Sequence, residues 1–198
     1  MRVISGLLLV LTPAFSQSPF TVVDISRQFD ASGHVKSEAR FLLAINRDGS
    51  IASVALNPGG HNRQIIDVRN QRNVVINTTS RSVSISPYGS FRVDPPDACD
   101  ERLRGHIPGA VVSVEKSAGA IEGIVLDRIS VHSLNGAGTD MFLAPTLGCH
   151  VFRTLITRDG AVVEAQTSTN LQLGDPDPAL FDIPPDYRIT YITRSMRL

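Results

Sequence analysis

The sequence predicts a mainly β protein: an antiparallel sheet of roughly nine to eleven strands with one or two short helices. Three observations lead there. From Phe20 onward apolar and polar residues alternate in short runs, and no long stretch keeps a 3.6-residue period. Turn-forming residues punctuate those runs at regular intervals. In the middle of the chain Gln64–Val68, Asn73–Asn77 and Ser82–Ser86 follow one another about nine residues apart, the rhythm of an antiparallel meander.

Taken in order, the first run, Phe20–Phe29, ends at Ala31, Ser32 and Gly33. The second, Val35–Ile45, ends at Arg47-Asp48-Gly49-Ser50, where Asp-Gly is a strong hairpin signal. Ile51–Leu56 follows and stops at Pro58-Gly59-Gly60. In Ser82–Ser86 valine and isoleucine alternate with serine, so one face turns inward and the other meets water. Pro87–Pro96 reads as a loop. Asp97–Arg104 then offers an Asp N-cap, acids in its first turn and arginines in its last, which suits a short helix closing at Gly105. Strands resume at Ala110–Lys116, Ile121–His132 and Thr139–Leu143. A long hairpin pairs Cys149–Thr157 with Ala161–Leu173 across Arg158-Asp159-Gly160.

The stretch from Leu173 to Tyr187 holds four aspartates and four prolines in fifteen residues. Asp177 before Pro178 is an N-cap followed by proline at the first helical position, where its missing N–H costs nothing. A single helical turn over Pro178–Asp182 presents Leu180 and Phe181 to one side. Pro184 and Pro185 then forbid continuation and push Ile183 to an extended backbone. Asp177, Pro178, Leu180, Phe181, Ile183 and Tyr187 are therefore expected to form a structural clasp that fastens the chain end onto the sheet. The competing reading has Asp175, Asp177, Asp182 and Asp186 ligating calcium. It lacks the spacing and the distal glutamate of a calcium loop.

At the other end Arg2, the apolar run Val3–Phe15 and the small residues Ala14 and Ser16 have the layout of a secretory signal peptide. The run is too short for a membrane span, which needs about 20 apolar residues. Residues 1–16 are expected to be removed, leaving 17–198 as one exported β domain, periplasmic or extracellular and not membrane-spanning. No cysteine follows the cleavage point to carry a lipid anchor. About 180 residues suffice for one core. With 19 basic and 19 acidic residues and no basic stripe, nucleic-acid binding is disfavoured. Cys99 and Cys149, an even pair in an exported protein, are expected to form a disulfide.

No catalytic constellation stands out. There is no G-x-S-x-G, and the five histidines are scattered without metal-ligand spacing. The Asn135–Gly138 turn leads into a strand and offers no helix N-terminus for phosphate. Asn77-Thr78-Thr79 matches the glycosylation acceptor pattern, which matters only in a eukaryotic secretory pathway. Neither a catalytic residue, a metal nor a cofactor is expected.

The closing pattern Leu173–Tyr187, preceded by Leu143-Ala-Pro-Thr-Leu-Gly-Cys149, resembles a group of secreted acidobacterial proteins. In that group a G-[ED]-P-D-P-x-L-F-x-I-P-x-x-Y segment closes the domain. Asp175 here replaces the commoner glutamate, and Pro185 the usual small residue. At fold level that group is similar to the bacterial lipoprotein-carrier (LolA/LolB-like) superfamily. The resemblance implies a strongly curved antiparallel sheet, an open half-barrel, around an apolar concavity. It implies a non-enzymatic envelope protein that binds or carries a lipid or an acylated protein. The alternative is a structural or protein-interaction module of the envelope, whose concavity is filled by its own side chains.

Overall fold

The computed structural model describes residues 18–56, 62–88, 99, 110–133 and 136–192. Twelve strands form one open sheet, in the order β12-β6-β5-β4-β3-β2-β1-β11-β10-β9-β8-β7. They are β1 (Phe20–Phe29), β2 (Val35–Ile45), β3 (Ile51–Ala55), β4 (Asn62–Asp67), β5 (Arg72–Asn77), β6 (Ser82–Pro87), β7 (Ala110–Ile121), β8 (Ile124–Ser133), β9 (Ala137–Ala144), β10 (His150–Arg158), β11 (Ala161–Leu173) and β12 (Arg188–Tyr191). Every pairing is antiparallel except β12 with β6, which is parallel. The sheet does not close into a barrel: β12 and β7 are its two edges. Helical structure among the described residues consists of two 3₁₀ turns, Pro145–Leu147 and Pro178–Phe181. The helix expected over 97–104 lies outside the described residues, apart from Cys99.

Two details differ from the sequence reading. Ser117 to Ala120, read as a break, stays inside β7, because a bulge between Glu115 and Gly119 absorbs the extra residues. The reversal falls instead at Glu122 and Gly123, both with positive φ, and splits the expected Ile121–His132 strand at Ile124. The twelfth strand escaped notice because its parallel partner lies far away in sequence and leaves no hairpin signal.

Alternation and register divide the sheet into two faces. Phe20, Val22 and Asp24 share one with Ile45 and Leu43 of β2 and with Ser168 of β11. Ile25 lies on the other. On the Ile25 face the half-sheet β2–β6 buries Ala44, Ala52, Ile65, Val74, Ile76, Val83 and Ile85. Phe20, Val22 and Ile45 instead point to the opposite face and join Phe152, Leu126 and Leu147 in a second cluster. A third gathers Cys99, Ile129, Val131 and Leu143. The sheet therefore buries opposite faces in its two halves, and β1 and β2 are where the burial changes side. Full burial of Phe20 and Phe152 contributes about 1.5–3 kcal/mol each.

Candidate functional site

Three places on this frame concentrate polar chemistry. The first is the C-terminal segment on the Ile25 face. The Asp177 carboxylate accepts the backbone N–H of Ala179 at 2.9 Å and starts the 3₁₀ turn. Leu180, Phe181, Ile183 and Tyr187, each partly buried, pack against the β2–β6 cluster. Three arginines of that half reach the segment. Arg47 pairs with Asp175 through two hydrogen bonds. Arg63 donates to the Ala179 carbonyl at 2.8 Å and also to the Asp182 carbonyl. Arg81 pairs with Asp186 and lies over the Tyr187 ring, 5.8 Å from its centre. Of the four aspartates weighed as calcium ligands, Asp175 and Asp186 pair with arginine, Asp177 caps the turn, and Asp182 meets Arg63 through its backbone carbonyl. A depression of about 280 Å³ separates the segment from the sheet between Thr21, Leu42, Leu173, Pro176 and Leu180.

The second is the cystine. Cys99 and Cys149 are bonded with Cα atoms 5.5 Å apart and a sequence separation of 50. Gly148 and Cys149 both take left-handed backbone, at φ 63°, and this ends the first 3₁₀ turn and starts β10. The bridge holds Cys99 among Ile129, Val131 and Leu143.

The third was missed from sequence. Asp24, buried on the Phe20 face, accepts a hydrogen bond from Ser168 Oγ at 2.5 Å and one from Gln166 Nε2 at 3.3 Å. His150 Nε2 stands 3.3 Å from the same Ser168 Oγ. Its ring meets Phe20 and Phe152 edge-on, with centroids 5.1 and 4.9 Å away. Because the serine proton goes to the carboxylate, the histidine donates and the hydroxyl accepts. Burial lowers the pKa of His150, and the nearby Asp24 charge partly opposes that shift. Aspartate, serine and histidine in this order make no hydrolase: a catalytic histidine must sit between the other two and take the serine proton. Here the hydroxyl is tied to the carboxylate instead. The signal for the site was parity, since Asp24 shares a face with Phe20 and Val22. A second buried carboxylate, Asp127, is satisfied by Lys116 Nζ and by the Ser117 N–H presented by the β7 bulge, both at 3.0 Å.

On the Ile25 face of β8–β9, Arg128 and Ser130 donate to Asp140 at 3.0 and 2.5 Å. Burial raises that carboxyl, and the two donors outweigh it, so its pKa is held below the usual range. Arg128 and Arg153 both lie over the Phe142 ring. Glu38 of β2 is shared by Arg27 and Arg40, each at 2.7 Å, and their hydrogen bonds likewise lower its pKa.

Neither a protein-family model nor a curated protein sequence matches the chain. Its fold, however, is shared with solved structures. An uncharacterized conserved protein from Thermus thermophilus superposes with a TM-score of 0.57 at 14% identity, over 89% of this chain and 91% of that one. A chain of the Pseudomonas aeruginosa MucA/MucB complex superposes at 0.54 with 12% identity over 90% of this chain, which spans only 60% of that one. The likeness to a LolA superfamily protein from Nitrosomonas europaea is more distant, with a TM-score of 0.38 and 10% identity. No helix among the described residues is long and apolar enough to cross a membrane.

Proposed function

We propose that the protein is an exported, non-catalytic binding protein of the cell envelope, with residues 1–16 as its leader and 17–198 as the working domain. Its ligand is a segment of another protein. The observation that supports this reading is that, among the described residues, side chains of the chain itself pack against the apolar clusters on both faces. The β2–β6 half is covered by Leu180, Phe181, Ile183 and Tyr187, and the other half by two clusters of its own side chains. The depressions along the C-terminal segment, beside Tyr191 and beside Ile156 hold about 280, 280 and 210 Å³. Each is smaller than the ~300–1,000 Å³ of ordinary small-molecule pockets. Fold likeness to a chain of a two-protein complex supports the same reading by analogy.

One observation favours a second reading, an apolar ligand such as an acyl chain. Val112, Val114, Met141 and Val151 around the cystine are only partly buried. Cross-linking in the native envelope, with lipid analysis of the same purified sample, decides between them. A stoichiometric protein adduct supports the first reading. Stoichiometric lipid without a protein adduct replaces it with the second.

A further inference from the structure

We infer that the Ile25 face of the half-sheet running from β2 through β1, β11 and β10 to β9 docks an extended acidic segment of a protein partner. The inference rests on the protein-binding reading above and names the chemistry of the partner. Register draws one line across this face: Arg40 opposite Ile25, Ile25 opposite Thr167, Thr167 opposite Arg153, and Arg153 opposite Phe142. Arg40 and Arg153 are exposed, while Ile25, Thr167 and Phe142 between and beside them are half-buried. Arg40 already shares Glu38 with Arg27, and two guanidinium groups around one carboxylate leave that end of the line with positive charge in excess. Arg153 stacks over the Phe142 ring at 5.7 Å. Arg128, on the far side of that ring, is committed to Asp140. Among the described residues no carboxylate lies within ion-pair distance of Arg153.

The molecule supplies its own precedent. On the same face, over β2–β6, arginines hold the acidic, proline-bearing segment through carboxylates, carbonyls and an aromatic ring. The Arg40–Arg153 line carries the same kit of guanidinium groups, an aromatic ring and a half-buried aliphatic strip, with no described segment of the chain lying on it. Spacing fits as well. Arg40 and Arg153 stand three strands apart, about 14 Å at ~4.8 Å per strand. An extended chain advances about 3.4 Å per residue and turns alternate side chains the same way. Acidic residues four positions apart therefore meet both cations, and the side chain midway between them faces Ile25 and Thr167. Charge-assisted arginine–carboxylate contacts and an aromatic-backed arginine are the anchors such an interface needs.

The test is fluorescence anisotropy of the purified protein with a labelled peptide of the sequence 173–187, alongside the same peptide with asparagine at its four aspartate positions. The acidic peptide should bind and the asparagine form at least tenfold more weakly. Arg153→Glu and Arg40→Glu should each weaken binding tenfold or more, with melting temperatures near that of the parent. If either charge reversal unfolds the protein, Arg153→Gln and Arg40→Gln replace them, with a several-fold loss expected. Arg47→Ala should leave binding unchanged. Equal binding of the two peptides overturns the proposal. So does insensitivity to both substitutions, or a loss seen only with Arg47→Ala, which would mean exchange with the resident segment. Equally tight binding to vesicles of anionic phospholipid, again lost in Arg153→Glu, overturns it in favour of a membrane surface. Self-association that buries this face in sedimentation overturns it in favour of a second copy. A protein adduct from the envelope whose yield is untouched by the substitutions would sink this face while leaving the protein-binding function standing.

Discussion

Arg47, in the turn between β2 and β3, grips Asp175 with two hydrogen bonds of 2.8 and 3.0 Å across 128 residues of chain. Both side chains are largely exposed, 67% and 59%, so water screens the pair and it adds little to stability. Asp175→Asn should therefore barely shift a urea midpoint. Phe181→Ala should remove about 2–3 kcal/mol, less than for a fully buried ring, because Phe181 is only partly buried against the β2–β6 cluster. A larger loss from the aspartate change would assign this segment a charge-based role in place of a packing one.

Arg63 grips backbone, not a carboxylate. Its contacts fall on the carbonyls of Ala179 and Asp182, at either end of the second 3₁₀ turn. Arg63→Ala should raise amide exchange at Leu180 and Asp182, whose N–H groups close that turn, and leave β8 and β9 unchanged. Exchange that rises evenly through the protein would show that the arginine matters for global stability only.

The cystine closes a loop of 50 residues, which in the chain-entropy view stabilises by about 4 kcal/mol. Reduction should lower the denaturation midpoint accordingly. Alkylation of both thiols in protein purified without reductant would contradict the bridge.

His150 sets an acid limit. Its pKa is lowered by burial from the ordinary 6.5, so the unfolded chain binds the proton more readily. Stability should fall as the pH drops from about 6.5 through the depressed value, by at most ~1.4 kcal/mol per pH unit, and then level off. His150→Gln keeps a donor for Ser168 and should flatten this window. The depressed carboxylates Glu38 and Asp140 act separately: their contribution is present above about pH 4 and is lost below it. An unchanged slope between pH 6.5 and 5 in the glutamine variant would place the acid sensitivity elsewhere.

Most of the fold was legible because it is local. Phe20–Phe29 and Val35–Ile45 are strands with the bounds that alternation assigned them, and Asp48-Gly49 is the turn, with Gly49 at φ 81°. The Asp177–Pro178 pair likewise announced a helical turn. What could not be read depends on distant partners. Whether Val74 and Ile85 face the same side as Phe20 is decided by strand register, which composition does not carry. The trio of buried Asp24 and Ser168 with the partly buried His150 joins three strands. Singly, each looked like an ordinary polar residue in an alternating run. The line from Arg40 to Phe142 exists only once five strands are in register.

Among the described strands the first to be synthesised ends up in the middle of the sheet, between β2 and β11. Asp24 waits 144 residues for Ser168. The order in time follows from this. A growing chain can assemble the β2–β6 meander early, but one edge of β1 stays open until the eleventh strand arrives. Pairing at such sequence separation places folding on the slow end of the scale, about milliseconds to seconds. A polypeptide that completes its central pairing so late stays incompletely folded until most of its length has been made, with one edge of its middle strand open to other strands in the meantime.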